Sequence, residues 1–223
     1  MTGDEKLSIY RMMSSKKLEN TQSQRGRGRP MGFDPTEALE AAMCLFWHHG
    51  YDGTSVDLLC RGTKMPRAGL YQRYSGKEGL FLAALDHYAE TRIAPLIVAL
   101  GPRGTLEEDL VRFFDAVVRL ATQDAAARGC LISCVLSDAA SSNPRFRVEL
   151  ETRFAALELR LADRIRAASP RDSVEQPDVH AMLLASIARG IMVRARAGTK
   201  AEALAQVGHA AATMTRIRRD ATT

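Results

Sequence analysis

The chain has 223 residues, of which 26% are charged and 6% aromatic, and its 31 Lys and Arg against 26 Asp and Glu give a formal charge of +5. That length accommodates a small domain beside a larger one, and the basic balance favours an anionic partner. No apolar run approaches the roughly 20 residues of a bilayer-spanning helix, and the N-terminal residues carry no apolar core with a small-residue cleavage site. The expected location is therefore cytoplasmic, associated with the nucleoid, with nucleic acid preferred over membrane. Ala, Leu and Arg dominate and β-branched alternation is missing, which predicts an all-α fold.

Residues 1–24 are polar and aperiodic, the pattern of a disordered extension. The segment 25–30, Arg-Gly-Arg-Gly-Arg-Pro, follows; its Arg-Gly-Arg-Pro core resembles the AT-hook, an extended arm whose arginines enter narrow A·T-rich minor grooves. The first predicted helix starts behind Asp34, with Pro35 at its first position and Glu37 completing a capping box. Leu39, Ala42, Met43, Phe46 and Trp47 form its apolar face, and Gly50 ends it. A second helix, capped by Thr54 with Asp57 three residues on, buries Val56, Leu59 and Cys60. A turn at 62–65 leads to a third helix over 66–74, and Ser75 with Glu78 reads as the capping box of a fourth. Arg61, Lys64, Arg67, Arg73 and Lys77 are the only charged residues between Leu58 and Lys77, the electrostatic footprint of an element that sits on phosphate.

Beyond residue 82 amphipathic helices take over. Pro95 predicts a kink and 101–104 a loop. Leu110, Phe113, Phe114, Val117, Val118 and Ala121 form one apolar face, 131–140 reads as a short buried helix, and a long helix starts at Asn143-Pro144 with Phe146, Leu150, Phe154, Leu157, Leu161 and Ile165 inward. A loop over 169–177 precedes two final helices, about 178–197 and 200–218, rich in small residues.

Leu70-Tyr71, Tyr74, Ser75-Gly76-Lys77-Glu78 and Leu80-Phe81, with Gly50-Tyr51-Asp52-Gly53-Thr54-Ser55 and 28–34 before them, resemble the DNA-binding domain of TetR/AcrR-family transcriptional regulators over the first third of the chain. The chain departs from the family pattern at Gly62-Thr63-Lys64, where Ala, an apolar residue and Gly are usual, so that a lysine has to take a turn conformation suited to glycine. The resemblance implies about nine helices: a basic arm and three-helix helix-turn-helix domain over 25–82, and an effector-binding and dimerisation domain over 83–223. It further implies a homodimer that binds palindromic double-stranded operator DNA and is released, as a repressor, by a small-molecule effector of unknown identity.

Carried onto matching positions, Tyr71 and Lys77 are expected on phosphates, with Lys77 beside a helix amino end, and Thr54 serves as cap and contact. Arg67, Ala68, Gly69 and Gln72 are expected to face bases, Arg67 suiting guanine and Gln72 adenine. Arg27 and Arg29 belong to the arm. Expected linings of the effector pocket are Phe113, Phe114, Val117, Cys130, Cys134 and Met182, and the expected dimer interface uses Ala185, Gly190, Leu204, Val207, Ala211 and Met214. Two alternatives stand beside this reading: a thiol-based redox- or electrophile-responsive regulator using Cys130 and/or Cys134, and a nonspecific architectural DNA-binding protein. The four cysteines otherwise read as reduced buried thiols. No nucleophile motif, phosphate-cradling loop or metal-ligand spacing is present, so no enzyme, cofactor or metal is expected.

Arg27 and Arg29 precede Pro30 on an extended segment, so arm and body should contribute separably to binding. Deleting residues 1–29 should weaken binding most on operators flanked by A·T pairs, because minor-groove readout separates mainly A·T from G·C. Competition binding on A·T- and G·C-flanked duplexes checks this; equal weakening on both would reduce the arm to a nonspecific tether.

Overall fold

The computed structural model describes residues 34–168 and 176–214. The expected arm, with Arg27 and Arg29, lies outside the described residues, as do residues 169–175 and the chain beyond 214. Among the described residues every regular element is helical, and there are nine helices.

Helix α1 (Pro35–His49) begins where the Asp34 carboxylate accepts from the amides of Thr36 and Glu37 at 2.7 and 3.0 Å. It buries Ala38, Ala42, Met43, Phe46 and Trp47, while Leu39 is only partly covered. The cap of α2 (Val56–Thr63) is Ser55, not Thr54: the Ser55 hydroxyl accepts from the Leu58 amide at 3.1 Å. Thr54 has a different task. It is fully buried and donates its hydroxyl to the Gly50 carbonyl at 2.6 Å, tying the turn that joins the two helices.

Lys64 adopts the left-handed conformation that the turn requires, φ 56° and ψ 20°. Helix α3 (Arg67–Tyr74) follows, with Pro66 just outside it as its extended N-cap rather than as its first residue. The expected Ser75–Glu78 capping box gives way to another arrangement. Ser75 ends α3 in a left-handed conformation, with its amide on the Tyr71 carbonyl, and Gly76 at φ 106° opens the next helix. The Glu78 carboxylate instead accepts from Asn143 Nδ2 at 3.2 Å and Arg145 at 2.7 Å, because the tertiary fold brings two donors to it.

Helix α4 covers 77–99 as Lys77–Tyr88, a π-helical turn Ala89–Ile93, and Ala94–Ala99, so it runs unbroken across residue 82. Pro95 causes no break: it sits in the first turn after the widened π segment, where a missing N–H is tolerated. Helix α5 (Leu106–Thr122) is entered through a reciprocal capping box between Thr105 and Glu108 and buries every predicted apolar position. Helix α6 combines a π segment (Leu131–Leu136) with Ser137–Ala139, followed by α7 (Pro144–Ala168), α8 (Pro177–Arg196) and α9 (Ala201–Thr213). Helix α4 packs on α1, α5 on α8 and α9, and α8 on α7.

Helical phase divides the small residues of the last two helices between core and surface. Ala181, Ala185, Ala188 and Ala195 on α8, with Leu204, Gly208, Ala211 and Ala212 on α9, are buried within the chain. A Cβ on Gly208 would stand 2.7 Å from Phe114 Cβ, so glycine there permits close contact with α5. Ala185, Leu204 and Ala211 are therefore corrected from interface to core. Gly190, where a Cβ would meet nothing within 4 Å, remains at the surface with Val207 and Met214. Beside them stand Val179, Met182, Leu183 and Val193, all exposed.

One buried polar cluster fastens the loop 101–105. Asp109 is fully buried; it accepts from Arg164 Nε at 2.6 Å, from the Arg103 amide at 3.2 Å, and from Arg112. Arg164 also donates to the Gly104 carbonyl at 2.9 Å. Burial alone raises the Asp109 pKa, but the hydrogen bonds from Arg164, the Arg103 amide and Arg112 outweigh it and hold the carboxyl below its ordinary value. Since the unfolded value is about 3.9, the network stabilises fully above that pH and loses its contribution as pH falls through the depressed folded value. Asp109→Ala leaves Arg164 buried without its partner and should cost about 3–5 kcal/mol at pH 7. Asp109→Asn should flatten the acid limb of stability. Urea unfolding followed from pH 7 to pH 3 measures both.

Candidate nucleic-acid interface

Helix α3 is short, and Leu70 is its one fully buried side chain. This leaves Arg67, Ala68, Tyr71 and Gln72 exposed on one side, at the i, i+1, i+4, i+5 spacing of a helical face. Gly69 is half-buried; a Cβ there would touch Pro66 and Met65 at 3.4 and 3.5 Å, so it faces the α2–α3 turn and lets the helix sit close to it. Arg67 pairs with Asp57 at 2.9 Å, both side chains more than half exposed. An exposed pair of this kind contributes little, so the guanidinium is held loosely above the surface.

Tyr71 is 49% exposed, and its ring lies against Gly76, where a Cβ would come within 3.4 Å of Cε1. Lys77, the first residue of α4, places Nζ 4.2 Å from the centroid of the Tyr51 ring, and burial lowers its pKa. Gly76 provides no side-chain cap, so the first amides of α4 stay available beside the ammonium, an arrangement that attracts phosphate. Tyr71, against Gly76, thus links the α3 face to Lys77 at the start of α4, and Arg61, Lys64 and Arg73 are exposed as well. Thr54 is not part of it, being buried beneath the turn. Sequence reasoning missed Asp57 and Tyr51 as partners of Arg67 and Lys77; Asp57, ten residues before Arg67 across the turn, was the available signal.

A second candidate site is a cavity of about 70 Å³ between α4, α5, α6, α7 and α8. Of the expected linings Phe113, Val117 and Cys130 contribute, joined by Ile93, Leu96, Phe154 and Arg189. Phe114 packs instead against Gly208 and Phe113. Cys134 stands beside Gly129 and Arg196, where burial pushes its thiol up, and Met182, 55% exposed, points away from the interior. The missed residues come from helices distant in sequence, so no local pattern announced them.

With this geometry in view, comparison with known proteins defines the class. The model of the tetR family of bacterial regulatory proteins matches residues 38–84, covering α1, α2, α3 and the start of α4. The HTH-type transcriptional repressor ComR of Escherichia coli K12 is 31% identical over 187 residues, 82% of this chain and 89% of that protein. BdcR, also an HTH-type transcriptional repressor of Escherichia coli K12, is 28% identical over 177 residues, 79% of this chain and 86% of its own. The TetR-family regulator CifR, solved as a cysteine mutant with a 26 bp double-strand operator, superposes with a TM-score of 0.75 at 26% identity, over 82% of this chain and 98% of that one. The chain belongs to the tetR family of bacterial regulatory proteins.

The interface depends on a backbone contact that glycine alone permits. A Cβ on Gly79 would overlap the Tyr74 carbonyl group, so the last turn of α3 and the first turn of α4 touch directly. Gly79→Ala should force the two helices apart and cost about 1–3 kcal/mol as overpacking does. Thermal and urea unfolding of the variant measure the loss.

Proposed function

We propose that the protein is a homodimeric transcriptional repressor, without catalytic activity, that binds a palindromic double-stranded operator through α3 and is released by a small-molecule effector in the cavity. The observation that carries this reading is the exposed face of Arg67, Ala68, Tyr71 and Gln72, linked through Tyr71 and Gly76 to Lys77 at the amino end of α4. In it Arg67 takes a guanine edge and Gln72 an adenine edge, Ala68 allows close approach, and Tyr71 and Lys77 take phosphates. The repressor relatives and the operator-bound CifR support the same direction.

The outward stripe of Val179, Met182, Leu183 and Val193 on α8, with Val207 and Met214 on α9, suits a dimer face, since contiguous exposed apolar surface seeks a partner. Two copies related by a two-fold axis would present two α3 helices to half-sites about one helical turn apart or wider. Effector control is supported by α4, which provides Lys77 at one end and the cavity-lining Ile93 and Leu96 further along. The thiol-sensing alternative gains nothing from the site: Cys130 is 3% exposed and burial raises the Cys134 thiol, whereas a sensor needs an accessible thiolate.

Lys77→Ala should weaken binding to all sequences by a similar factor and lower the salt slope by about one unit. Arg67→Ala should change base preference by about 1–3 kcal/mol at one base pair per half-site. Fluorescence anisotropy over a panel of single-base operator variants separates the two; an unchanged rank order with Arg67→Ala would remove its base-reading role.

Leu183→Arg and Val207→Arg, both on the outward stripe, should yield folded monomers that lose operator affinity. Sedimentation velocity at micromolar concentration tests this, and a wild-type monomer there would exclude the dimer.

A further inference from the structure

The lining of the cavity is apolar apart from Cys130, Ser133, Arg153 and Arg189, and the two arginines differ in how fully their donors are used. Arg153 commits Nε to Glu149 at 2.7 Å, one terminal nitrogen to the Leu85 carbonyl at 3.2 Å and the other to Asp86 at 2.9 Å. Arg189 sends Nη2 to Glu158 at 2.7 Å and to the Phe154 carbonyl at 3.3 Å, and its guanidinium lies 3.8 Å above the Phe154 ring. Its Nε is buried without an acceptor. A buried donor attached to a charged group is costly to leave unpaired, so this N–H is suited to an added oxygen acceptor.

The surrounding charge selects the kind of acceptor. Against the two guanidinium groups stand Asp86, Glu149 and Glu158, all in contact with them. The cations are already compensated, and a carboxylate ligand would enter a site with more negative than positive neighbours. A neutral oxygen meets no such repulsion. Size adds a limit, because a cavity of about 150 Å³ holds a benzene molecule, and this one, at about 70 Å³, restricts the ligand to fewer atoms than benzene.

We propose that the cavity binds a small neutral molecule, apolar except for a single acceptor oxygen such as that of a ketone, aldehyde or ester, which accepts from Arg189 Nε. Phe113, Val117, Leu96 and Met192 hold its hydrocarbon part. This inference rests on the reading of the cavity as the effector site, and its test separates the two.

Full-length protein is titrated with 2-butanone, with its shape-matched hydrocarbon 2-methyl-1-butene, and with butanoate, while the Arg189 Nε–H resonance is followed by NMR and assigned through its loss in Arg189→Lys. The ketone should shift that resonance saturably and bind about tenfold more tightly than either comparison compound, the difference expected of one hydrogen bond to a charged donor. Ala188→Leu, which fills the cavity from α8, should abolish the shift, its fold being checked by circular dichroism. Tighter binding of butanoate, equal binding of the hydrocarbon, or no saturable shift with any of the three would overturn the proposal. Operator release is read independently by anisotropy: a ketone that saturates the Arg189 signal without releasing DNA upholds the ligand class and overturns the effector reading.

Discussion

The contact on which the rest of the molecule depends is a cluster of four rings at the junction of α1, α4 and α7. Phe46 of α1 and Phe81 of α4 have centroids 4.8 Å apart, Tyr51 from the turn after α1 lies 5.0 Å from Phe81, and Phe146 of α7 meets Phe81 at 5.2 Å and Tyr51 at 4.8 Å. Edge-on and tilted pairs of this kind each contribute about 0.5–1.5 kcal/mol beyond burial. Their greater consequence is geometric. Tyr51 belongs at once to this cluster and to the cation–π contact with Lys77, so the placement of a surface ammonium is set by core packing. Polar contacts accompany the rings: ion pairs of Glu78 with Arg145, Arg153 with Asp86 and Glu40 with Arg92, and a hydrogen bond between Glu40 and His87. Each joins α4 to a neighbouring helix.

Helix α4 is consequently the structural link between the two candidate sites. Tyr88, the last residue before its π turn, packs edge-on against Trp47 of α1 with centroids 5.1 Å apart, and burial followed by the neighbouring Cys130 thiol holds its phenol well above the ordinary pKa. Ile93, the last residue of the π turn, lines the cavity, as does Cys130. One turn of helix thus touches the core of the DNA-binding helices at one end and the cavity wall at the other. π-helical turns are uncommon and recur at functional positions. A shared element whose two ends contact both sites gives the proposed coupling a contiguous physical route.

Helices α8 and α9 resolve a conflict between close packing and exposure. Alanine and glycine on their inner faces let α5 and α7 approach, while Val179, Met182, Leu183, Val193, Val207 and Met214 are left outside. Leu184, Ile191, Met192 and Leu204 are buried with the inward alanines, so the same two helices supply both core and an apolar outer stripe, divided by helical phase and not by side-chain size.

The sequence by itself determined the helical class, the extents of α1, α3, α6 and α8 to within a residue or two, and the exposure of Arg67 on α3, because these follow from local periodicity, caps and charge spacing. It also identified the odd turn at Lys64, which takes the left-handed conformation that its position demands. Thr54 and Ser55 were exchanged as caps because both are good cap residues and only the Gly50 carbonyl, offered by the end of α1, decided which was used. Small residues were read as an interface on α8 and α9 because composition records size and not direction; helical phase against α5 and α7 sent Ala185, Leu204 and Ala211 inward. The cavity was the least legible feature. Its walls come from five helices, and the spare donor of Arg189 exists only because Glu158 and Phe154 occupy the other side of its guanidinium. Such an unpaired donor reflects a balance among groups far apart in the chain, and tertiary packing alone brings them within reach of one another.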